Sequence, residues 1–311
     1  MAERLGNPRR REQARGCGVR LNVAQFPKVP SFPQKRESNL NNVGFERKLD
    51  PRPRGDDDLK SVAALGTLNG QPTIWQLPEE VPVAIMLNST SYAVMMATPA
   101  DLADFAVGFA LSEGLVVHSS HIGNVLVMPS GEGFSVDLAI AEDKIIRERM
   151  INRAMEGRVG CGLCGIEEMA DAIRMPDRKL HVPAISASAI AAAFNALPEF
   201  QPMNALNRTV HAAAWCSVEG AILLAREDVG RHNALDKLIG TMARGHIRPD
   251  HGFVLMSSRC SFELVQKCAM VGIGALATVS APTALALKLA KQAGLKLASL
   301  SQQGVMIFDG A

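Results

Sequence analysis

From residue 210 to the C-terminus, short apolar segments alternate with helical patterns, and this alternation is the strongest constraint on the fold. The apolar segments predict strands at Val210–Val218, Ala221–Ala225, Phe253–Met256, Ile273–Val279 and Leu295–Leu300. Helices are predicted after Asn233 as an N-cap, at Phe262–Val271 and at Ala284–Ala293. Such alternation is typical of parallel strands covered by helices, so we expect a three-layer α/β domain over residues 169–311.

Residues 65–158 show paired strands with fewer helices, which predicts a separate α+β lobe. The predicted strands are Val81–Leu87, Ser91–Met95, Val125–Met128 and Phe134–Ala139. One helix is predicted to begin with Thr98 as its N-cap and to end at Gly114, and a second to span Asp143–Glu156. The α/β domain itself is predicted to open with a helix after Ser186 that ends at Pro198.

Residues 1–64 have no sustained hydrophobic period, and we expect a disordered basic tail. They hold 14 Lys and Arg against 8 Asp and Glu, so the tail carries about +6 and the remainder about −4. Nucleic-acid binding by the folded part is therefore not favoured. No apolar run approaches the ~20 residues of a membrane helix, and no apolar segment follows Arg9–Arg11 as a secretion signal requires. We expect a cytoplasmic protein that does not contact a membrane.

A short segment rich in glycine and cysteine separates the two predicted domains, and we expect residues 159–168 to form a flexible loop. It holds Cys161 and Cys164, framed by Gly160 and Gly165. Glycines leave the backbone free and the sulfurs uncovered, an arrangement that exposes a thiolate. A mobile cysteine can carry a sulfane sulfur as a persulfide, and a pair of cysteines can also exchange a disulfide.

Two further interpretations of this pair are a zinc site and a pair of buried structural cysteines. A zinc site needs a second pair of ligands at short spacing, and the sequence offers only the scattered His211, Cys216, Cys260 and Cys268. The glycines disfavour a buried pair. Sulfur carriage and dithiol exchange therefore stay open at this point, and no permanently bound metal is expected.

Three polar turns follow predicted strands and lead into predicted helices: Arg226–Lys237, Met256–Ser261 and Val279–Thr283. Because parallel strands end at the same edge of a sheet, we expect the turns to meet around one large phosphate-bearing ligand. The alternative is a set of solvated, salt-bridged turns in which Asn233 and Ser261 only cap helices. The candidate ligand contacts are Asp228, Arg231, His232, Asn233, Asp236, Ser258, Arg259, Ser261, Ser280 and Thr283.

Several motifs occur in one order along the chain from about Gly66 to its end. They are Glu80-Val81-Pro82-Val83, the stretch Met95–Phe109, Cys161-Gly162-Leu163-Cys164-Gly165, the stretch Glu227–Lys237, the stretch Ser258–Lys267 and Ser280-Ala281-Pro282-Thr283. Together they resemble the FdhD family of formate dehydrogenase accessory proteins. The resemblance implies a cytidine-deaminase-like fold for residues 169–311 and a homodimer.

The resemblance also implies a sulfurtransferase. Family members take sulfur from a cysteine desulfurase of the IscS type and pass it to bis-molybdopterin guanine dinucleotide, before that cofactor enters the catalytic subunit of formate dehydrogenase. Cys161 is then the expected persulfide carrier, with Cys164 assisting. The alternative is a CxxC thiol oxidoreductase that does not use molybdenum cofactor.

If this resemblance holds, Asp228 or Asp236 can accept from a guanine edge, and Arg231 and Arg259 can pair with phosphate. Near the C-terminus the family shows a glycine-aromatic turn with a basic residue, to which a contact with the guanine cofactor is assigned. This chain departs from that pattern, because its matching stretch lacks both the aromatic and the basic residue. The expected contacts there are Leu300, Ser301, Gln302, Gln303, Gly304 and Val305.

Overall fold

The computed structural model describes residues 60–149, 173, 175–176 and 179–308, all within one unit of the chain that spans 48–311. The described residues form twelve strands: β1 (Ser61–Leu68), β2 (Gln71–Pro78), β3 (Val81–Leu87), β4 (Thr90–Ala97), β5 (Ile122–Ser130), β6 (Gly133–Ile140), β7 (His211–Ser217), β8 (Ile222–Asp228), β9 (Gly252–Met256), β10 (Ala275–Thr278), β11 (Lys296–Ser301) and β12 (Gly304–Phe308). They also form six α-helices: α1 (Leu102–Ser112), α2 (Ala187–Ala196), α3 (Pro202–Asn207), α4 (Arg231–Arg244), α5 (Phe262–Met270) and α6 (Ala284–Ala293). The mixed α/β class predicted from the sequence is confirmed.

The C-terminal half is built on a six-stranded sheet with the order β12-β11-β10-β9-β7-β8. β9, β10 and β11 are parallel, whereas β7 is antiparallel to both of its neighbours, β8 and β9. β8 therefore runs in the same direction as β9. It follows that the carboxyl ends of β8, β9, β10 and β11 lie along one edge of the sheet, here called the carboxyl edge.

Helices cover both faces of this sheet because its strands are apolar on both sides. All five residues of β9 are buried, as the continuous apolar run Phe253–Met256 predicts. On one face, Trp215 of β7 packs in a cluster with residues of α4, α5 and α6. On the other face, Cys216 of the same strand packs in a cluster with residues of α2.

A four-stranded sheet, in the order β4-β3-β6-β5, forms the N-terminal part. Its buried side chains, such as Ile85, belong to the same hydrophobic cluster as Phe105 of α1 and Leu235 of α4. α1 and α4 cross with their backbones in contact. A Cβ on Gly240 would lie 1.8 Å from the carbonyl oxygen of Asp104, and one on Gly108 would lie 1.7 Å from that of Asp236. This close crossing joins the two predicted lobes through one core.

β1 and β2 form a separate antiparallel hairpin that the sequence analysis did not predict. It begins at Ser61, so residues 61–64, the last four of the segment predicted to be disordered, belong to a strand; residues 1–59 of that segment lie outside the described residues. The turn at Asn69–Gly70 has positive φ at both positions, 51° and 81°, as a two-residue hairpin turn requires.

Three predicted helix starts were wrong or incomplete. α1 begins at Leu102 with Asp101, not Thr98, at the N-cap, and α4 begins at Arg231 with Gly230 at the N-cap, so Asn233 lies inside the helix. The predicted helix from Asp143 is replaced, as far as the structure describes it, by two short 3-10 turns at Glu142–Lys144 and Arg147–Arg149. The other predicted helix starts are confirmed. In α2, for example, Oγ of Ser186 accepts from the Ala189 amide, so Ser186 is the N-cap.

The longest described helix, α4, has 14 residues, and none of the described helices combines the length with the apolar character that a membrane crossing requires.

Candidate functional site at the carboxyl edge

The turns after β9 and β10 lie side by side at the carboxyl edge. The Val279 amide donates to the Met256 carbonyl at 3.0 Å, and the Ser280 amide to the Ser258 carbonyl at 3.4 Å. The Thr283 amide, at the end of the turn after β10, donates to the Cys260 carbonyl in the turn after β9 at 3.0 Å. The two turns thus form one continuous rim, as predicted from the direction of the strands.

The turn after β8 joins this rim through the first turns of α4 and α5. The Nε2 atom of His232 lies 3.9 Å from Oε2 of Glu263, and both side chains are largely buried. β7 lies between β8 and β9, and the amide of its second residue, Ala212, donates to Oγ of Ser257 at 2.8 Å. The structure therefore brings the three predicted turns together.

Asp228 is not a free acceptor for a ligand. It is fully buried, and its Oδ2 lies 2.7 Å from Nζ of the equally buried Lys237. Its carboxylate also accepts from the amides of Thr98 at 3.0 Å and Gly230 at 2.8 Å, and from Nδ2 of Asn233 at 2.9 Å. Four donors hold this carboxylate, so it fixes the turn after β8 against the segment that precedes α1.

Asn233 and Thr98 complete the same network. Asn233 Nδ2 also donates to the Met96 carbonyl at 2.8 Å, and Lys237 Nζ donates to the Thr98 carbonyl at 2.9 Å. The Val229 amide donates to Oγ1 of Thr98 at 3.2 Å. These contacts explain why neither residue is a helix N-cap: each is taken up by a partner more than a hundred residues away.

Asp236 is buried in a second network, one turn further along α4. It accepts from Nζ of Lys267 at 2.8 Å and from Oγ of Ser112 at 2.6 Å. Lys267 also donates to Glu113 at 3.0 Å. Burial raises the pKa of Asp236 to about 6, which leaves it ionised and paired at neutral pH. The expectation that Asp228 or Asp236 accepts from a guanine edge is therefore not met, because neither carboxylate is accessible.

The accessible side of the rim is basic and rich in donors. Arg259 and Ser280 are exposed, and Arg231 and Ser261 are partly exposed. Nε of Arg231 and Oγ of Ser261 are buried atoms without a hydrogen-bond partner among the described residues. A hydrogen-bonding ligand at the rim would give these two atoms a partner.

The start of α5 is a second feature of the rim that favours an anionic ligand. Ser261 is at its N-cap position, but its side chain does not cap the helix, so the first amides keep their capacity to bind an anion. Arg231 is in the first turn of α4, where the helix dipole disfavours a cation. A negatively charged ligand would satisfy both. By contrast, Thr283 is an ordinary N-cap of α6, since its Oγ1 accepts from the Ala286 amide at 3.1 Å. Ser258 is buried and donates to the Arg259 carbonyl at 3.0 Å.

The stretch from Leu300 to Val305 lies at the same edge, at the end of β11 and the start of β12. Its residues are exposed apart from Val305, which is partly buried. Ser301 Oγ donates to the Gly304 carbonyl at 2.7 Å and accepts from the Gln303 amide at 3.2 Å, which closes the hairpin turn. β10 lies between this turn and the turn after β9. The stretch thus continues the rim beyond the third turn.

Comparison with known proteins agrees with this architecture. The model of the FdhD/NarQ family matches residues 78–310. A sulfur carrier protein FdhD from Bordetella petrii is 44% identical over 256 residues, which cover 81% of this chain and 92% of that protein. The chain belongs to the FdhD/NarQ family. A second sulfur carrier protein FdhD, from Variovorax paradoxus, is 47% identical over 219 residues, covering 70% of this chain and 79% of that one.

The family fold is also found in a solved structure. A chain from Desulfotalea psychrophila, described as a candidate formate dehydrogenase accessory protein, matches with a TM-score of 0.62 and 24% identity. The match covers 80% of this chain and 96% of that chain. At this identity the likeness shows the fold alone.

The cysteines of the described region are not reactive thiols. Cys216, Cys260 and Cys268 are fully buried, and burial raises the pKa of each, that of Cys260 to about 12. A thiol of this kind stays protonated at neutral pH and is a poor nucleophile. Cys161 and Cys164, which the sequence singles out, lie outside the described residues. Within the described ranges, no three His, Cys, Asp or Glu side chains gather as metal ligands.

His211 lies at the carboxyl edge, although its sequence pattern indicates only a scattered candidate zinc ligand. It is the first residue of β7, pairs with Asp228 across the strands and is partly buried at the carboxyl edge. The sequence does contain an indication of this position, because the apolar run that predicts β7 lies next along the chain to the strand that ends in the polar turn after β8. What the sequence did not show is that β7 lies between β8 and β9, which places its first residue among the turns.

Proposed function

We propose that this chain is a sulfur carrier that receives a sulfane sulfur from a cysteine desulfurase as a persulfide on Cys161. It then delivers that sulfur to bis-molybdopterin guanine dinucleotide, the substrate, before the cofactor enters formate dehydrogenase. The sulfur carrier names of relatives at 44–47% identity support the first part. The description of the structural neighbour supports the link with formate dehydrogenase.

The observation that best supports sulfur carriage is the burial of the cysteines in the described region. All three cysteines in the described region are buried thiols with raised pKa values. The other cysteines are Cys17, which lies before the matched residues 78–310, and the pair Cys161 and Cys164, whose glycine frame favours an exposed thiolate. Glycines on both sides give such a thiolate the access that a bulky donor protein and a large cofactor both need.

The chemistry needs two exchanges. In the first, the Cys161 thiolate attacks the outer sulfur of the donor persulfide, a new S–S bond forms on Cys161, and the donor cysteine leaves as a thiolate. In the second, the Cys164 thiolate attacks Sγ of Cys161. This step forms the Cys161–Cys164 disulfide and releases the outer sulfur as sulfide, the form in which a metal centre binds it. A cellular dithiol then reduces the disulfide and restores both thiols.

The carboxyl edge is the proposed binding site for the guanine ends of the cofactor. Arg231 and Arg259 would pair with phosphate, and the uncapped first turn of α5 would bind the same anion. Ser261 and Ser280 add hydroxyl groups on the same rim. The stretch from Leu300 to Val305 extends the contact. Asp228 and Asp236 act from behind as buried supports and do not contact the ligand.

The cofactor carries two guanine dinucleotides, so a homodimer could bind one in each subunit. That arrangement would also present the two Cys161 loops to one metal centre. Sedimentation of the chain with and without GDP tests it: a dimer with one GDP site per chain is expected, and a monomer at all concentrations would exclude the arrangement.

A complementation experiment tests the proposed function in cells. Cys161→Ala should abolish formate dehydrogenase activity in a strain that lacks the wild-type chain, while the amount of folded protein stays unchanged. Cys164→Ala should keep part of the activity, because an external thiol can replace the resolving step. Cys216→Ala is a control whose buried thiol has no role in transfer. Full activity with Cys161→Ala would contradict the proposal.

A further inference from the structure

The position of His211 in the sheet places it at the centre of the carboxyl edge. Side chains alternate along a strand, so His211 lies on the same face of β7 as Ala213 and Trp215. Those two belong to the hydrophobic cluster that also contains residues of α4 and α5. β8 and β9, whose ends lead into these helices, flank β7 on its two sides. The imidazole therefore lies between the starts of α4 and α5.

Each element around His211 contributes an identified group. β8 contributes Asp228, directly opposite in the strand register and already ion-paired with Lys237. α4 contributes the guanidinium of Arg231, and the turn after β9 contributes the uncharged Ser257 hydroxyl. The first turn of α5 carries Glu263, whose Oε2 lies 3.9 Å from Nε2 of His232 on α4, and the exposed Arg259 precedes that helix. Asp228 has no accessible surface, so an anion that arrives beside His211 meets the positive charge of Arg231.

The charge state of the imidazole follows from these neighbours. Partial burial lowers the pKa of His211 below its ordinary value, the positive charge of Arg231 lowers it further, and Asp228 opposes the shift. The ring is therefore neutral near pH 7 in the free protein. A phosphate group placed against Arg231 would reverse the sign of the local charge and favour the imidazolium, which donates from both ring nitrogens.

We propose that His211 is a phosphate-binding residue of the guanine nucleotide site, paired with Arg231, and that it takes up a proton from solvent when the nucleotide binds. The inference rests on the proposed function and adds to it a residue from β7, outside the three turns. In this arrangement, Arg231 at the start of α4 and His211 at the start of β7 bind the anion together with the first turn of α5.

Calorimetric titration of the full chain with GDP near neutral pH tests this inference in buffers that differ in ionisation enthalpy. The wild type should show an observed enthalpy that varies with the buffer, with a slope that reports proton uptake. His211→Gln keeps a hydrogen-bonding side chain of similar reach but cannot titrate. It should bind GDP about tenfold more weakly, because a neutral amide donor replaces a charged one, and its slope should be smaller.

Two controls separate the contribution of His211 from others. Protonation of GDP itself contributes equally to both titrations and cancels in the difference between their slopes. His246→Gln alters an exposed histidine beyond the other end of α4 and should behave as the wild type does. His211→Asn provides a second non-titrating variant, and thermal unfolding of each variant shows whether it is folded.

The outcomes distinguish this inference from the proposed function. If the wild type binds GDP and the folded His211 variants show the same slope and affinity, His211 is not a phosphate ligand, and the nucleotide site and sulfur carriage stand. If the wild type does not bind GDP, both this inference and the nucleotide site at the carboxyl edge are wrong. Persulfide formation on Cys161 is measured independently of GDP and would be unaffected by either result.

Discussion

The ion pair between Asp228 and Lys237 gives the sharpest stability prediction. Its two charged atoms are 2.7 Å apart, and both side chains have no exposed surface. Lys237→Met keeps the length and most of the volume of the side chain but removes the charge and the bond to the Thr98 carbonyl. Removing one partner of a buried pair costs about 3–5 kcal/mol, because the other charge stays buried without compensation.

The structure places the expected loss near the lower end of that range. Asp228 keeps three of its four donors in the variant: the amides of Thr98 and Gly230 and the Nδ2 group of Asn233. Three hydrogen bonds can hold a carboxylate ionised inside a protein. We therefore expect Lys237→Met to lower the free energy of unfolding by about 3 kcal/mol.

Equilibrium unfolding in urea measures this loss, with Lys288→Met as the matched control on the exposed side of α6. The control should change stability by less than about 0.5 kcal/mol. The folded fraction of Lys237→Met should bind GDP as the wild type does, because Lys237 supports the turn from behind. A loss below about 1 kcal/mol, or a loss of GDP affinity in a variant that is fully folded, would refute the assignment of this pair to structure.

Three further changes test other parts of the account. Arg259→Ala should cost about 1.5–3 kcal/mol of GDP binding by calorimetry with little effect on folding, and equal affinities would remove this exposed arginine from the site. Burial raises the pKa of Glu227 from 4.5 to about 7. Between these two pH values the folded protein keeps a proton that the unfolded chain has lost, so the free energy of unfolding falls as the pH rises through that window. Relative to the wild type, Glu227→Gln should therefore gain up to about 3 kcal/mol in urea unfolding over this window; parallel pH profiles would contradict the assignment. Gly240→Ala would place a methyl group 1.8 Å from the Asp104 carbonyl oxygen and should lower the unfolding midpoint strongly, and an unchanged midpoint would argue against the close crossing of α1 and α4.

The C-terminal sheet was predictable because its signals are local and strong. The run Phe253–Met256 is apolar throughout and is fully buried as β9, and Ala284–Ala293 matches α6 at both ends. The direction of these strands was enough to predict that the polar turns meet at one edge. Polar residues at strand ends that lead into helices are a dependable indication of a site in such folds.

The hairpin of β1 and β2 was missed although the sequence contained a signal for it. Asn69–Gly70 is a favoured two-residue turn between segments of β-forming residues. Several of the apolar side chains in these strands are exposed; Leu65, for example, is 81% exposed. The absence of a buried face removed the alternation on which strand prediction depends.

The roles within the stretch Glu227–Lys237 could not be read from the sequence. Asp228 and Asp236 are chemically able to bind guanine, and a local pattern does not show that the segment before α1 contacts the first and that α1 contacts the second. Their partners, Thr98 and Ser112, are more than a hundred residues away. Because Thr98 makes these long-range contacts, it does not occupy the N-cap position of α1 that its sequence neighbours favour. Burial set by tertiary packing thus decides which members of a polar motif can reach a ligand.

Mass spectrometry of the loop cysteines tests the central claim most directly. The full chain is incubated with a cysteine desulfurase and cysteine, and the peptide that contains Cys161 and Cys164 is measured without reduction. Sulfur carriage predicts a gain of about 32 Da on Cys161 that disappears with dithiothreitol and is absent in Cys161→Ala. A loss of two hydrogens from the peptide, with no added sulfur under any donor condition, would mean a simple disulfide and would contradict sulfur carriage in favour of thiol oxidoreductase chemistry.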